Sequence, residues 1–217
     1  MNDVGTNEYQ VTQEPVVWAR FYKTAEQIFY TTQSLDLYQF DAHTSETKKL
    51  QEKVLSPSLS YDGEWLVYVK LNKTWRMGDY YENSLGIAKL DLVSGDERLI
   101  SHSWEDFNPT WTPDGEKILF FSRSPEGLAS HFIMAKDGSN RRQLTNIGER
   151  FVSPSVVAIP SEDVRWSYDG RYAAYESDHQ IWINEFDEEY DRIVRAYRIA
   201  YGTDPQWVKG DEAIRVV

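Results

Sequence analysis

The sequence predicts an all-β protein assembled from repeated four-stranded antiparallel blades, and three features predict it. Short apolar runs rich in β-branched and aromatic residues alternate with Asp-Gly and Ser-Gly turns, a pattern of hairpins rather than helices. An aromatic or apolar residue followed seven places later by a second apolar run recurs five times: Phe21 with Ile28, Leu59 with Leu66, Trp111 with Ile118, Trp166 with Ala173, and Trp207 with Ile214. The copies start 38 to 55 residues apart, near the roughly 40–50-residue period of propeller blades, with loop insertions accounting for the spread. The expected fold is therefore a β-propeller of about five blades.

The copy in Asn108 to Thr145 is the most regular. Pro109-x-Trp111 leads into the Pro113-Asp114-Gly115 turn and the run Ile118-Leu119-Phe120-Phe121; Phe132-Ile133-Met134 then meets a second turn at Asp137-Gly138. Glycine accepts positive φ there without a Cβ clash, and aspartate tolerates the turn. In the first copy, Thr24-Ala25-Glu26 replaces Asp-Gly, and a second hairpin runs from Leu35 to Ser45. The second copy restores Asp62-Gly63 and turns again at Ser94-Gly95-Asp96. The fourth has Asp169-Gly170 after a long connection from Asn146 to Glu162, and the fifth breaks off where its third strand is due. Glu188 to Ala200 reads as a fourth strand from the repeat. Tyr190, Ile193, Val194, Tyr197 and Tyr201 also fall at helical spacing, so an amphipathic helix is the alternative.

The pattern P-x-W-[ST]-x-D-G-x-x-[IL]-x-[FY], followed by an apolar strand, D-G-[ST]-N and R-Q-L-T, resembles the WD-like propeller repeat of TolB-type proteins. It is close in Pro109 to Thr145, good in Pro57 to Tyr68 and Trp166 to Tyr175, and faint at both ends. The same repeat occurs in the propeller domains of prolyl oligopeptidase and dipeptidyl peptidase IV type proteins. The resemblance implies a TolB-like propeller over residues 15–217 and a role in envelope or multi-subunit assemblies. Residues 1–14 form a separate N-terminal segment, in which Asn7 to Thr12 alternates as a strand could. Because a propeller must cover its exposed edges, the last blade is expected to be completed by that segment or by a partner chain, or else to stay incomplete.

Composition narrows the function. A net charge of −12 over 217 residues argues against nucleic acid or an anionic membrane surface as the main partner. Cysteine is absent, so there is neither a disulfide framework nor a thiolate metal site. The opening residues MNDVGTNEYQVTQEP lack the basic and apolar regions of a secretory signal, so the reading is a periplasmic or envelope-associated protein whose signal is absent or removed, or a cytoplasmic one. No apolar run approaches membrane-spanning length, and direct membrane insertion is not expected.

No catalytic constellation, metal-ligand spacing or cofactor motif stands out. His43, His102, His131 and His179 are scattered without zinc spacing and read as surface-loop histidines; no G-x-S-x-G elbow is present. The run Glu185, Asp187, Glu188, Glu189 and Asp191 reads as a solvated acidic face. The Trp residues at the repeat positions read as packing between blades. Function is instead expected in the loops that outgrow the repeat: Asn72 to Ser84, His102 to Asn108, Ser124 to Ser130, and Asn146 to Glu162. They place Trp75, Arg76, Tyr80, Tyr81, Trp104, Asp106, Phe107, Arg150 and Phe151 as candidate partner-binding residues, since Trp, Tyr and Arg dominate interface hot spots. The reading is a non-catalytic scaffold that binds a protein. The alternative is an accessory or degenerate enzyme propeller that binds a peptide or saccharide at a central channel.

Overall fold

Hairpin chemistry accounts for the strands. The structure, a computed structural model, describes residues 10–21, 26–72, 83–123, 129–144, 164–177, 180–203, 205–208 and 213–215. They form two compact units, residues 1–54 and 55–217. The chain is an all-β propeller of about four to five blades.

The first unit carries blade one: β1 (Val16–Phe21), β2 (Gln27–Thr32), β3 (Leu37–Asp41) and β4 (Glu46–Gln51), paired in that order. Leu35, Leu37, Phe29 and Phe40 form its buried centre. β4 is polar and largely exposed, as suits a sheet edge. Residues 1–9 of the suggested closing segment lie outside the described residues, and Gln10 to Thr12 belong to no strand.

Blade two consists of β5 (Val54–Leu59), β6 (Trp65–Leu71), β7 (Ser84–Asp91) and β8 (Glu97–Leu99). Blade three consists of β9 (Asp106–Trp111), β10 (Lys117–Arg123), β11 (Ala129–Ala135) and β12 (Arg142–Gln143). Blade four has β13 (Arg165–Trp166), β14 (Tyr172–Ser177), β15 (Gln180–Phe186) and β16 (Ile193–Tyr201). A last hairpin pairs β17 (Gln206–Val208) with β18 (Ala213–Arg215). Ile193 to Tyr201 is strand, so the repeat outweighs the helical spacing there.

The seven-residue spacing in the sequence is the register itself. Phe21 faces Ile28, Trp111 faces Ile118, Trp166 faces Ala173, and Trp207 faces Ile214 across their hairpins. The turns that set this register in blades two to four share one construction. The Thr112 hydroxyl donates to Asp114 Oδ1 at 2.6 Å, while the Glu116 and Lys117 amides donate to Asp114 Oδ1 and Thr112 Oγ1, each at 3.0 Å. Ser60 with Asp62 and Ser167 with Asp169 repeat it. Gly63, Gly115 and Gly170 supply φ values of 73–77°. The Ser167 hydroxyl and Arg171 amide hold the Asp169 carboxyl below the usual carboxylate range.

Blades within the second unit pack face to face. Val67, Ile87 and Ile100 of blade two meet Trp111, Ile118, Phe120 and Met134 of blade three. Leu119 of blade three meets Ala173 and Phe186, with Trp166 and Tyr190 against them. Both faces of the inner strands of blade three are covered, so β9 and β10 are buried almost throughout, β10 as a mainly apolar strand and β9 although it carries Asp106, Asn108 and Thr110.

Two groups of polar residues sit differently from their expected surface positions. His131 is buried in β11, between the rings of Phe121 at 4.4 Å and Tyr175 at 4.8 Å; it is not a surface-loop histidine, because β11 is covered on both faces. His43 and His102 are exposed, and His179 lies outside the described residues. The acidic run is not one solvated face. Glu185 is buried against Arg171 at 2.5 Å, and Asp191 bridges blades three and four through Lys117 at 2.6 Å and Arg142 at 2.5 Å. These cations hold the Asp191 carboxyl low.

Thr112→Val is expected to cost about 1 kcal/mol in urea unfolding, because it removes a hydroxyl that both donates and accepts within a tight turn; a cost indistinguishable from zero would deny the turn its register-setting role. His131 should make the fold acid-sensitive. Burial pushes its imidazole down to about 3, against about 6.5 in the unfolded chain. Between those values the unfolded state binds more protons, so stability is complete above pH 6.5 and falls as the pH drops. The loss should reach about 2 kcal/mol from pH 7.5 to 5.0, and His131→Leu should flatten that limb in paired denaturation curves.

Candidate functional site

The turn between β8 and β9 begins with a close backbone approach. Gly86, at φ 115°, lies against the Ser101 carbonyl, where a Cβ would come within 2.2 Å of the oxygen. No other residue type fits without moving the loop. From there Ser101 to Glu105 folds through short local bonds: Ser103 N donates to Ser101 Oγ at 3.3 Å, Glu105 N to Ser103 Oγ at 3.3 Å, and Asp106 N to the Ser103 carbonyl at 3.2 Å. Arg123 N closes the end of β10 onto the Glu105 carbonyl at 3.2 Å.

Asp106 is the anchor under this turn. It is fully buried, accepts from the Ser101 hydroxyl, and pairs with Arg141 at 2.9 Å. Arg141 also donates to Ser122 Oγ at 2.9 Å and lies over the Phe132 ring at 4.3 Å. A buried carboxylate is tolerable only when its charge and lone pairs are met in this way. Phe107 is buried beside it and stacks on Phe121 with ring centroids 5.5 Å apart. Asp106 and Phe107 are thus strand residues of β9 rather than loop residues, paired with Ser122 and Phe121. Neither presents its side chain to solvent as the sequence reading placed them.

On this base stands Trp104, 50% exposed at the tip of the turn. The arrangement holds a large amphipathic ring in water on a fixed backbone, which lowers the entropy lost when a partner covers it. Leu85, next to Gly86, is also exposed. By strand direction, the ends of β6 and β10 and the starts of β7, β9 and β11 share this side of blades two and three. The insertion between β6 and β7 therefore leaves from the same side, its base closed by the Asn72 amide on the Asn83 carbonyl at 2.7 Å. Trp75, Arg76, Tyr80, Tyr81, Arg150 and Phe151 lie outside the described residues.

A second feature had no signal in the apolar pattern. Between the first strands of blades two and three runs a polar seam: Ser56 Oγ donates to Asn108 Oδ1 at 2.8 Å, and Ser58 Oγ meets Thr110 Oγ1 at 3.3 Å. The buried Asn108 Nδ2 has no hydrogen-bond partner among the described residues. Among the described residues no cluster of three acidic or histidine side chains is placed to hold a metal ion, and no helix is long and apolar enough to cross a membrane.

No protein-family model matches the chain. A stretch of 67 residues, 30% of the chain, is 37% identical to a Tol-Pal system protein TolB of Novosphingobium aromaticivorans, of which it covers 15%. TolB of Acinetobacter baumannii superposes over 79% of this chain and 39% of its own, at 20% identity and a TM-score of 0.56. An oligogalacturonate lyase of Vibrio parahaemolyticus superposes over 91% of this chain and 57% of its own, at 18% identity and a TM-score of 0.62. The chain therefore spans well under two thirds of the length of these proteins. In fold and repeat sequence it is a TolB-like β-propeller.

Arg141→Met should leave the buried Asp106 carboxylate without its cation and cost about 3 kcal/mol. The same variant should speed amide exchange over residues 101–105. Exchange there at the native rate would show that the turn is held without the pair.

Proposed function

We propose that this chain is a non-catalytic propeller scaffold that binds another protein through the loop side of blades two and three, as a subunit of a larger assembly. The observation that carries the reading is Trp104: an exposed tryptophan in the turn two residues before the buried Asp106, whose carboxylate is paired with Arg141. Exposed aromatic anchors on rigid supports are the usual source of interface energy, and the surrounding contacts mainly exclude water. Asp106 and Phe107 serve this surface from beneath, by fixing its backbone. Trp75, Arg76, Tyr80, Tyr81, Arg150 and Phe151 are proposed as further contributors to partner binding.

The TolB likeness supports a protein partner, and with it a periplasmic or envelope location, since the relative is a Tol-Pal system protein. Nucleic acid fits poorly with a net charge of −12. A second reading, an accessory propeller that takes a peptide or saccharide, is favoured by the polar seam of Ser56, Ser58, Asn108 and Thr110 and by the lyase among the structural neighbours. The two place the ligand on different residues.

Trp104→Ala, with circular dichroism and melting temperature unchanged, is expected to weaken capture of the partner from native extract at least ten-fold, the loss of one hot spot of roughly 2 kcal/mol. Asn108→Ala should leave that capture intact. The reverse pattern would favour the seam.

A further inference from the structure

We propose that β16 is a docking edge for an extended acidic segment of another protein, which adds to blade four as a fifth strand. This surface is separate from the Trp104 turn and does not depend on it. β16 is hydrogen-bonded to β15 along one side and to no described strand along the other. Along that side its row of backbone donors and acceptors has no strand partner among the described residues, the template used in strand addition. The other fourth strands of the second unit do not offer such a row: β8 has three residues and β12 has two. β16 has nine, and after Ile193 every one is exposed. Eight consecutive exposed residues leave both faces of the strand partly open, although Tyr197 is only 37% exposed and two register shifts interrupt the pairing with β15. Val194, Tyr197, Ile199 and Tyr201 are among them, with Tyr201 80% exposed.

Charge selects the occupant. Residues 192–203 contain Arg192, Arg195 and Arg198 and no acidic residue, in a chain with 35 Asp and Glu. Arg192 is engaged by Asp187 at 3.2 Å, and Arg195 lies beside Tyr197 and Glu185. Arg198 has no ion pair among the described residues. Arg195 and Arg198 pair with Glu185 and Trp182 and so lie on opposite faces of the strand. A segment that alternates acidic and apolar residues would set its acids on the Arg198 face and its apolar side chains on the face of Tyr197, while its backbone continued the sheet. A second copy of this chain is the poorer occupant, because antiparallel pairing of two β16 edges sets Arg195 and Arg198 of one copy against the same two arginines of the other.

The test uses the full chain and a fluorescein-labelled, capped nine-residue peptide that alternates valine and glutamate. Anisotropy should report binding that weakens about ten-fold or more with Arg198→Glu, less with Arg198→Gln, and about as much when salt rises from 50 to 500 mM. Trp104→Ala should leave it unchanged. The same peptide with lysine for glutamate should not bind, and hydrogen exchange should slow at residues 193–201 in the complex. Absence of binding, binding indifferent to both Arg198 variants, or protection confined to another strand would overturn the proposal. So would concentration-dependent dimers that protect β16 without peptide, which would assign the edge to a second copy.

Discussion

Ser60, Thr112 and Ser167 each place a hydroxyl three residues before a glycine, and the register of three blades depends on it. The hydroxyl donates to the turn aspartate and accepts the amide that starts the next strand, so one side chain closes both sides of the turn. A strand shifted by one residue would turn its apolar set to the wrong face. In a blade, however, both faces are core, so burial alone discriminates register weakly. The turn supplies what the hydrophobic pattern lacks. Once Trp111 faces Ile118, both enter the apolar layer against Val67 and Ile87, and the next blade is positioned by the same rule.

That division of labour explains what the sequence shows and what it hides. The seven-residue spacing is a local property of one hairpin, and it is legible because turn and register sit within a dozen residues. The blade count and the strand character of Ile193 to Tyr201 follow from repetition. His131 is hidden for the opposite reason: in a strand buried on both faces, polar and apolar residues do not alternate, and a histidine among Ser130, Phe132 and Ile133 resembles a surface position. Asp191 is hidden by distance, since its partners Lys117 and Arg142 belong to another blade. Asp106 could have been found. A seven-residue β10 that ends at Arg123 needs a partner strand starting before Asn108, which leaves Trp104 as the last residue free to stand in water.

The most regular blade in sequence thus carries the least regular polar feature of the second unit. The two facts are connected. A buried carboxylate such as Asp106 needs a cation delivered with little freedom, and Arg141 can do this because the Asp137-Gly138 turn fixes where β12 begins. The guanidinium crosses the faces of Phe132 and Phe120 on its way, so the aromatic strand positions act as a guide as well as core. Regularity is what makes a rigid base for Trp104 possible, even though regular positions themselves carry little specificity.

The Trp104 turn and the β16 edge represent two physically distinct ways for one scaffold to meet partners. At the turn, affinity would come from burying a preorganised ring, and it should depend little on salt. At the edge it would come from backbone hydrogen bonds open to any extended chain, so sequence preference must be added by charge. A basic stretch in an otherwise acidic protein would add it in both directions: the net charge of −12 repels acidic chains generally, and Arg198, without an ion pair among the described residues, would restore attraction at β16. The same charges keep copies of the protein from pairing through that edge, which makes a long exposed strand tolerable in a chain free to meet itself.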